Sequence, residues 1–225
     1  MTRCVWICGI VLFLASSGIP AQDSSPGVVT TQSASIDEHS EELLFSGARG
    51  SWQRPDLVMQ LLSDMRGESV ADLGAGLGFF TYRLSNVVGV DGKVYAVEFE
   101  PTLIERLETF VAKLPRRNTV VIRGTASNPG LPEGELDMVL SVNTWHHVGN
   151  RNAMSQAVQQ ALKPSGRLVI IDWREGEISI APPADHRLAR KALIDEMKAD
   201  GWTLTTDSRF LDYQYLLIFA PPSAG

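Results

Sequence analysis

The sequence predicts an α/β domain with a doubly wound, mostly parallel sheet that ends in an antiparallel hairpin. Three observations carry this. Short apolar runs alternate with segments of helical periodicity between residues 69 and 200, and strands separated by helices pair in parallel. The first run leads at once into a glycine-rich turn and a helix. Two strand-like runs at 202–211 and 214–219 then meet around Asp212, and so short a connection joins antiparallel strands.

The chain opens on a leader. Arg3 supplies a positive start, residues 5–15 an apolar run, and Ser16, Ser17 and Gly18 small residues before a cleavage point at Ala21. Residues 1–21 therefore read as a secretory signal peptide, and the expected location is periplasmic or secreted. The alternative is an uncleaved anchor, which would confine membrane contact to the leader. The run is short for a span of ~20 apolar residues. Both cysteines, Cys4 and Cys8, lie in the leader, so the mature chain is expected to form neither a disulfide nor a thiolate metal site. Residues 22–35 are mostly Ser, Thr, Gln, Pro and Gly and read as a disordered linker. Residues 36–225 are the expected domain. The formal charge is −6, and losing Arg3 with the leader would make it −7. That balance argues against nucleic acid as a partner.

Within the domain, residues 36–44 suit a short amphipathic helix and 47–55 an irregular stretch. Pro55 is placed to open a helix over 56–65, with Leu57, Val58, Leu61 and Leu62 on its apolar face. Val70, Ala71 and Leu73 form a buried strand, and Phe80, Leu84 and Val87 share one face of the helix after the glycines. Residues 93–97 form a second strand ending at Glu98. Pro101 opens a helix carrying Leu103, Leu107, Phe110 and Leu114. Residues 119–122 form a third strand and 136–142 a fourth, apolar enough to be buried on both faces. Asn150 caps the next helix, residues 163–166 make a turn, and 167–171 form the fifth strand. A helix over 188–200 stops at Gly201.

The chemistry begins at the first strand end, which reads Asp-Leu-Gly-Ala-Gly-Leu-Gly from Asp72 to Gly78. Glycines let a backbone turn sharply and approach a ligand closely. A dinucleotide loop of the form G-x-G-x-x-G would need a third glycine where Phe79 stands, which counts against a nicotinamide-dependent oxidoreductase. An acid in the loop suits a cationic ligand better than a pyrophosphate. Glu98 ends the second strand, where a carboxylate can accept hydrogen bonds from a ribose.

This pattern resembles the first motifs of the class I S-adenosylmethionine (SAM)-dependent methyltransferases, and the resemblance runs from about Trp52 to Phe219. It implies a Rossmann-like class I methyltransferase fold and SAM as the cofactor. It places Asp72, Gly74, Ala75, Gly76 and Gly78 around SAM, with Glu98 on its ribose. The family often sets an acidic or polar residue against adenine. Here Thr125 and Ala126 stand at that point. The run from Leu136 to His147 resembles the fourth motif and delivers Asn143 to the methyl-transfer site.

His146 is a candidate base, and the alternative reading makes both histidines a wall of the pocket. Adjacent histidines on one loop are a poor metal pair, and no metal is expected. Trp52, Tyr82, His147 and His186 are candidates for the acceptor site, with Trp173 and Arg174 behind them. The implied activity is methyl transfer to a nucleophilic O, N, S or C of a small molecule. Export of a protein that uses cytoplasmic SAM leaves a second reading open, a non-catalytic exported binding protein that reuses the fold.

Overall fold

The computed structural model describes residues 47–62 and 64–222, all within the unit Asp37–Gly225. The expected leader, linker and helix at 36–44 lie outside the described residues. The sheet has seven strands. They are β1 (Ser69–Leu73), β2 (Lys93–Glu98), β3 (Thr119–Arg123), β4 (Leu136–Val142), β5 (Leu162–Trp173), β6 (Thr203–Ser208) and β7 (Gln214–Ala220). Their order is β3-β2-β1-β4-β5-β7-β6. The first five are parallel, and β7 runs antiparallel between β5 and β6. The expected fold class and its C-terminal hairpin are both present.

The helices are α1 (Gly47–Gln53), α2 (Pro55–Leu61), α3 (Phe79–Val88), α4 (Pro101–Val111), α5 (Arg151–Ala161) and α6 (Arg190–Ala199). They cover both faces of the sheet. Met154, Val158 and Ala161 of α5, with Leu193 and Met197 of α6, pack on Ala71, Leu73, Val139, Ile170 and Leu217. Val58, Leu62, Phe80, Leu84 and Val88 pack on Val70, Met138, Leu140, Val169 and Leu216. Successive residues of each strand thus feed opposite cores, as the side-chain alternation of a pleated strand requires. Connections from β1 to β3 stay on one face, and those after β4 lie on the other. The order therefore reverses between β1 and β4, and a crevice opens there at the carboxyl ends of the strands.

Several local signals act as expected. Pro55 and Pro101 each open a helix, and the Asn150 side chain accepts the Ala153 N–H at 3.1 Å.

Two stretches differ. The segment at 47–55, expected to be irregular, contains α1. Its inward residues Arg49 and Gln53 are polar, four apart and bonded to each other (Nε to Oε1, 2.6 Å). A helix that buries polar side chains shows no apolar periodicity, which is why the sequence pattern passed over it. Residues 163–166 do not separate α5 from β5, because β5 begins at Leu162. Leu162 pairs with Leu136 and Arg167 with Met138, so β5 advances five residues while β4 advances two. The expected turn survives as a bulge inside the strand. Two helix limits also move: α2 stops at Leu61, and α6 begins at Arg190.

Candidate active site

The loop after β1 curls over the end of β2. Gly74 and Ala75 both donate N–H bonds to the Val97 carbonyl at 2.9 Å, and Gly78 donates to Ala75. Gly74, Gly76 and Gly78 all have positive φ, the region that glycine enters without a Cβ penalty. Their surroundings differ. A Cβ on Gly78 would lie 2.6 Å from the Phe110 ring, and one on Gly74 would intrude into Thr144 of the loop after β4. A Cβ on Gly76 would meet nothing within 4 Å.

Glu98 holds this loop in place. Its Oε2 accepts the Gly76 N–H at 2.6 Å, and its Oε1 accepts those of Phe99 (2.7 Å) and Glu100 (3.1 Å). A carboxylate offers about four acceptor directions. The three donors therefore leave one direction open at Oε2, on the residue that the sequence reading set against a ribose.

Asp72 lies beneath the loop and is buried. It accepts the Thr81 hydroxyl at 2.6 Å. Burial pushes its carboxyl up to about 6, against the pull of Thr81 and the Arg49 charge. Burial also brings Arg49 down to about 10 despite the attraction of Asp72. Desolvation outweighs the mutual attraction of the two groups at both ends. Asp72 thus shapes the loop and sets its field from below, and its carboxylate is not open to the crevice.

A stability prediction follows from this burial. A folded-state value raised from 3.8 to about 6 means that the folded protein holds this proton more tightly, so stability is lost as pH rises from about 4 to about 6. Asp72→Asn is expected to raise stability above pH 6 by up to about 3 kcal/mol and to make little difference near pH 3. Thermal melts across that range check the sign. A variant equally destabilised at every pH would contradict it.

Phe79 stands where a dinucleotide loop would have glycine. Its ring lies under two guanidinium groups, Arg49 at 4.2 Å and Arg83 at 4.0 Å. The position is filled by an aromatic platform.

The other side of the crevice is built from β4, β5, β7 and α1. Asn143 takes φ +55 at the end of β4, and its Oδ1 accepts a short hydrogen bond from Gln214. Gln214 Oε1 accepts from Gln53 Nε2 at 3.1 Å, and Gln53 in turn accepts from Arg49. This buried relay ties α1 to the loop after β4. Gln214→Ala would strand the amides of Gln53 and Asn143, and is expected to cost about 2–3 kcal/mol in an unfolding titration. A loss under 1 kcal/mol would show that water replaces the missing amide.

His146 lies in a single helical turn at Trp145–His147. Its Nδ1 is 2.7 Å from Asp172 Oδ1, and its backbone N–H donates to Asp172 Oδ2 at 3.1 Å. The two side chains are 2% and 0% exposed. The His147 ring packs on that of His146 at 4.0 Å. Partial burial, then the charges of His146 and His186, push His147 down to about 4, so it is neutral near pH 7. Trp52 of α1 stacks on Trp173 at 5.2 Å.

The remaining sequence candidates fall further out. His186 is exposed in a short turn at Ala184–His186. Tyr82 is 46% exposed on α3. Thr125 and Ala126 lie in an exposed turn in which the Thr125 hydroxyl is committed to both backbone groups of Asn128. Arg174 donates to the Asp212 carbonyl and serves the hairpin.

The sequence reading missed Arg49, Gln53, Thr81, Asp172 and Gln214. Two of these left a signal. Asp172 is an acid at the carboxyl end of a strand, as Glu98 is, and Gln214 is the polar residue that opens an otherwise apolar run.

The seven-stranded order with this glycine loop, and with an acid at the end of β2, defines the class I methyltransferase fold. Residues 71–170 match the family described as a methyltransferase domain. The chain is 35% identical over 134 residues to an uncharacterized methyltransferase of Mycobacterium tuberculosis, covering 57% of this chain and 51% of that protein. It is 27% identical over 115 residues to a demethylmenaquinone methyltransferase of Lactococcus lactis, covering 51% and 46%. The chain thus spans about half the length of these curated relatives. A SAM-dependent methyltransferase structure from Aquifex aeolicus superposes with a TM-score of 0.77 at 23% identity, over 81% of this chain and 97% of that one.

Proposed function

We propose that this chain transfers the methyl group of SAM to a nucleophilic O, N, S or C of a small-molecule acceptor. The observation that carries the reading is the bond from Gly76 to Glu98. It joins the glycine loop to the acid at the end of β2, leaves one direction of Oε2 unused, and sets the bare Cα of Gly76 toward open space. That is a cradle for a ribose and the chain beyond it. It has room where a side chain would obstruct and an acceptor where hydroxyls need one.

When bound, SAM supplies an electrophilic methyl carbon on a sulfonium. Glu98 and the loop backbone would hold the cofactor. Asn143, fixed by Gln214, would border the transferred methyl, and Trp52 with Trp173 would close the acceptor side. Alignment and exclusion of water then supply most of the rate. The sequence expectation of export belongs to this proposal too, and fractionation of the expressing cell, with sequencing of the mature N-terminus, tests it.

Calorimetric titration of the full-length protein with SAM and with S-adenosylhomocysteine tests the cofactor site. Saturable binding of both is expected. A folded protein that binds neither would favour the second reading, a binding protein that reuses the fold.

A further inference from the structure

The Asp172–His146 pair has a free end. Asp172 is engaged at both oxygens: Oδ1 accepts from the Trp173 N–H at 2.8 Å and faces His146 Nδ1, and Oδ2 accepts the His146 N–H. A carboxylate can only accept, so it fixes the imidazole proton on Nδ1. Nε2 is then a bare lone pair, and it is buried with no partner among the described residues. A satisfied core histidine would not leave that atom orphaned, since buried polar atoms are nearly always bonded. The loop that carries His146 is the one that delivers Asn143 and Thr144 to the crevice. Thr144 lies against Gly74 of the glycine loop.

We propose that His146 is the general base of the transfer, that Asp172 is the residue that positions it, and that the acceptor is an aryl hydroxyl. The proposal rests on the methyltransferase reading above. The acceptor class follows from what a held base is needed for. A neutral amine attacks through its own lone pair and sheds its proton afterwards, and a thiol has an appreciable thiolate fraction near neutral pH. A hydroxyl is a weak nucleophile until its proton is being removed. Trp52, stacked on Trp173, and His147, packed on His146, stand at the same end of the sheet, and an aromatic wall suits a planar ring.

The step balances. Nε2 takes the hydroxyl proton as the oxygen's electron pair forms a bond to the methyl carbon. The carbon–sulfur bond breaks and its electron pair stays on sulfur, which becomes a neutral thioether. The Asp172 carboxylate offsets the charge on the imidazolium until the proton passes to solvent. The titratable and charged groups around the Asp172–His146 pair are His147 on the same turn, on which His186 also acts, and Tyr215 on β7, which lies in the fields of Asp172, Glu175, Arg151 and Arg190. Tyr215 is pushed upward by burial and by Asp172, and its hydroxyl donates to the Leu188 carbonyl, so it stays neutral. His147 is neutral near pH 7, so it places no charge beside Nε2.

The test uses the full-length protein saturated with S-adenosylhomocysteine and 4-nitrophenol as an optical probe, since its phenolate absorbs where its phenol does not. In the wild type, bound probe is expected to ionise about one pH unit below free probe, a tenfold shift. His146→Gln, whose amide accepts a hydrogen bond but takes no proton, is expected to bind the probe without that shift. Asp172→Asn is expected to reduce the shift and, in long-range ¹H–¹⁵N spectra of the histidines, to release the Nδ1–H form. All three proteins are expected to bind S-adenosylhomocysteine within about threefold of one another, because neither residue touches Glu98 or the glycine loop. An unbound probe, or an equal shift in His146→Gln, would overturn the proposal while leaving the cofactor reading intact. Loss of S-adenosylhomocysteine binding by the wild type would instead overturn the reading on which it rests.

Discussion

Glu98→Ala is expected to lower affinity for S-adenosylhomocysteine by about 100-fold and to destabilise the ligand-free protein by about 2–4 kcal/mol. The two effects have separate origins. The carboxylate accepts three backbone N–H bonds, from Gly76, Phe99 and Glu100, and is buried while doing so. Its removal leaves three donors at the crevice floor without their charged acceptor. Bonds to a charged group are worth about 1.5–3 kcal/mol each, and water entering the vacated space recovers part of that. The affinity loss adds the missing bond to the ribose and the release of Gly76 from its position. Glu98→Gln separates the two. Its single carbonyl oxygen can keep some of the backbone bonds but cannot satisfy both sides of the loop. It is expected to retain most of the stability and to lose about tenfold in affinity. Thermal melts beside calorimetry read both quantities. An unchanged affinity in Glu98→Ala would remove this residue from the cofactor site.

Gly74→Ala is expected to unfold the domain more readily by about 3 kcal/mol, while Gly76→Ala is expected to cost about 1 kcal/mol and still spoil cofactor binding. Both positions have positive φ, +79 and +58, and each carries a backbone penalty of about 1–2 kcal/mol for a residue with a Cβ. The difference is steric. At Gly74 the new Cβ would sit 2.7 Å from the Cβ of Thr144, and overpacking of this kind adds about 1–3 kcal/mol. At Gly76 the methyl meets no protein atom and projects into the crevice. Gly74→Ala combined with Thr144→Gly removes the clash and is expected to recover about 1–2 kcal/mol. No recovery in the double variant would place the cost in the backbone alone. Because Thr144 follows Asn143, the Gly74 variant is also expected to disturb the loop that carries His146.

Much of the site was legible along the chain because its parts are local. The glycine spacing, Asp72 at the strand end and Glu98 twenty residues after Gly78 are written within the first β-α-β unit. The unit folds according to rules of strand, turn and helix that operate over a few residues. The role of Asp72 was harder to read. Sequence places an acid at the loop, but only the direction of its side chain in the pleat sends it under the loop toward Thr81. Thr125 shows the same limit: its position follows from β3, whereas its hydroxyl is spent on Asn128 within its own turn.

The sequence by itself determined the class of fold, the order of its strands and helices from α2 to the bulge in β5, and the glycine loop facing Glu98. Each of these rests on periodicity, glycine conformation or proline and asparagine capping, which are properties of neighbouring residues. Only the tertiary structure decided what faces the other side of the crevice. Arg49, Gln53, Asn143 and Gln214 form one relay, though 161 residues separate Gln53 from Gln214. Asp172 reaches His146 across 26. These pairs exist because the sheet reverses between β1 and β4 and inserts β7 beside β5. The polar side chains of α1 gain a buried partner from that long-range order, and no pattern within α1 itself encodes it.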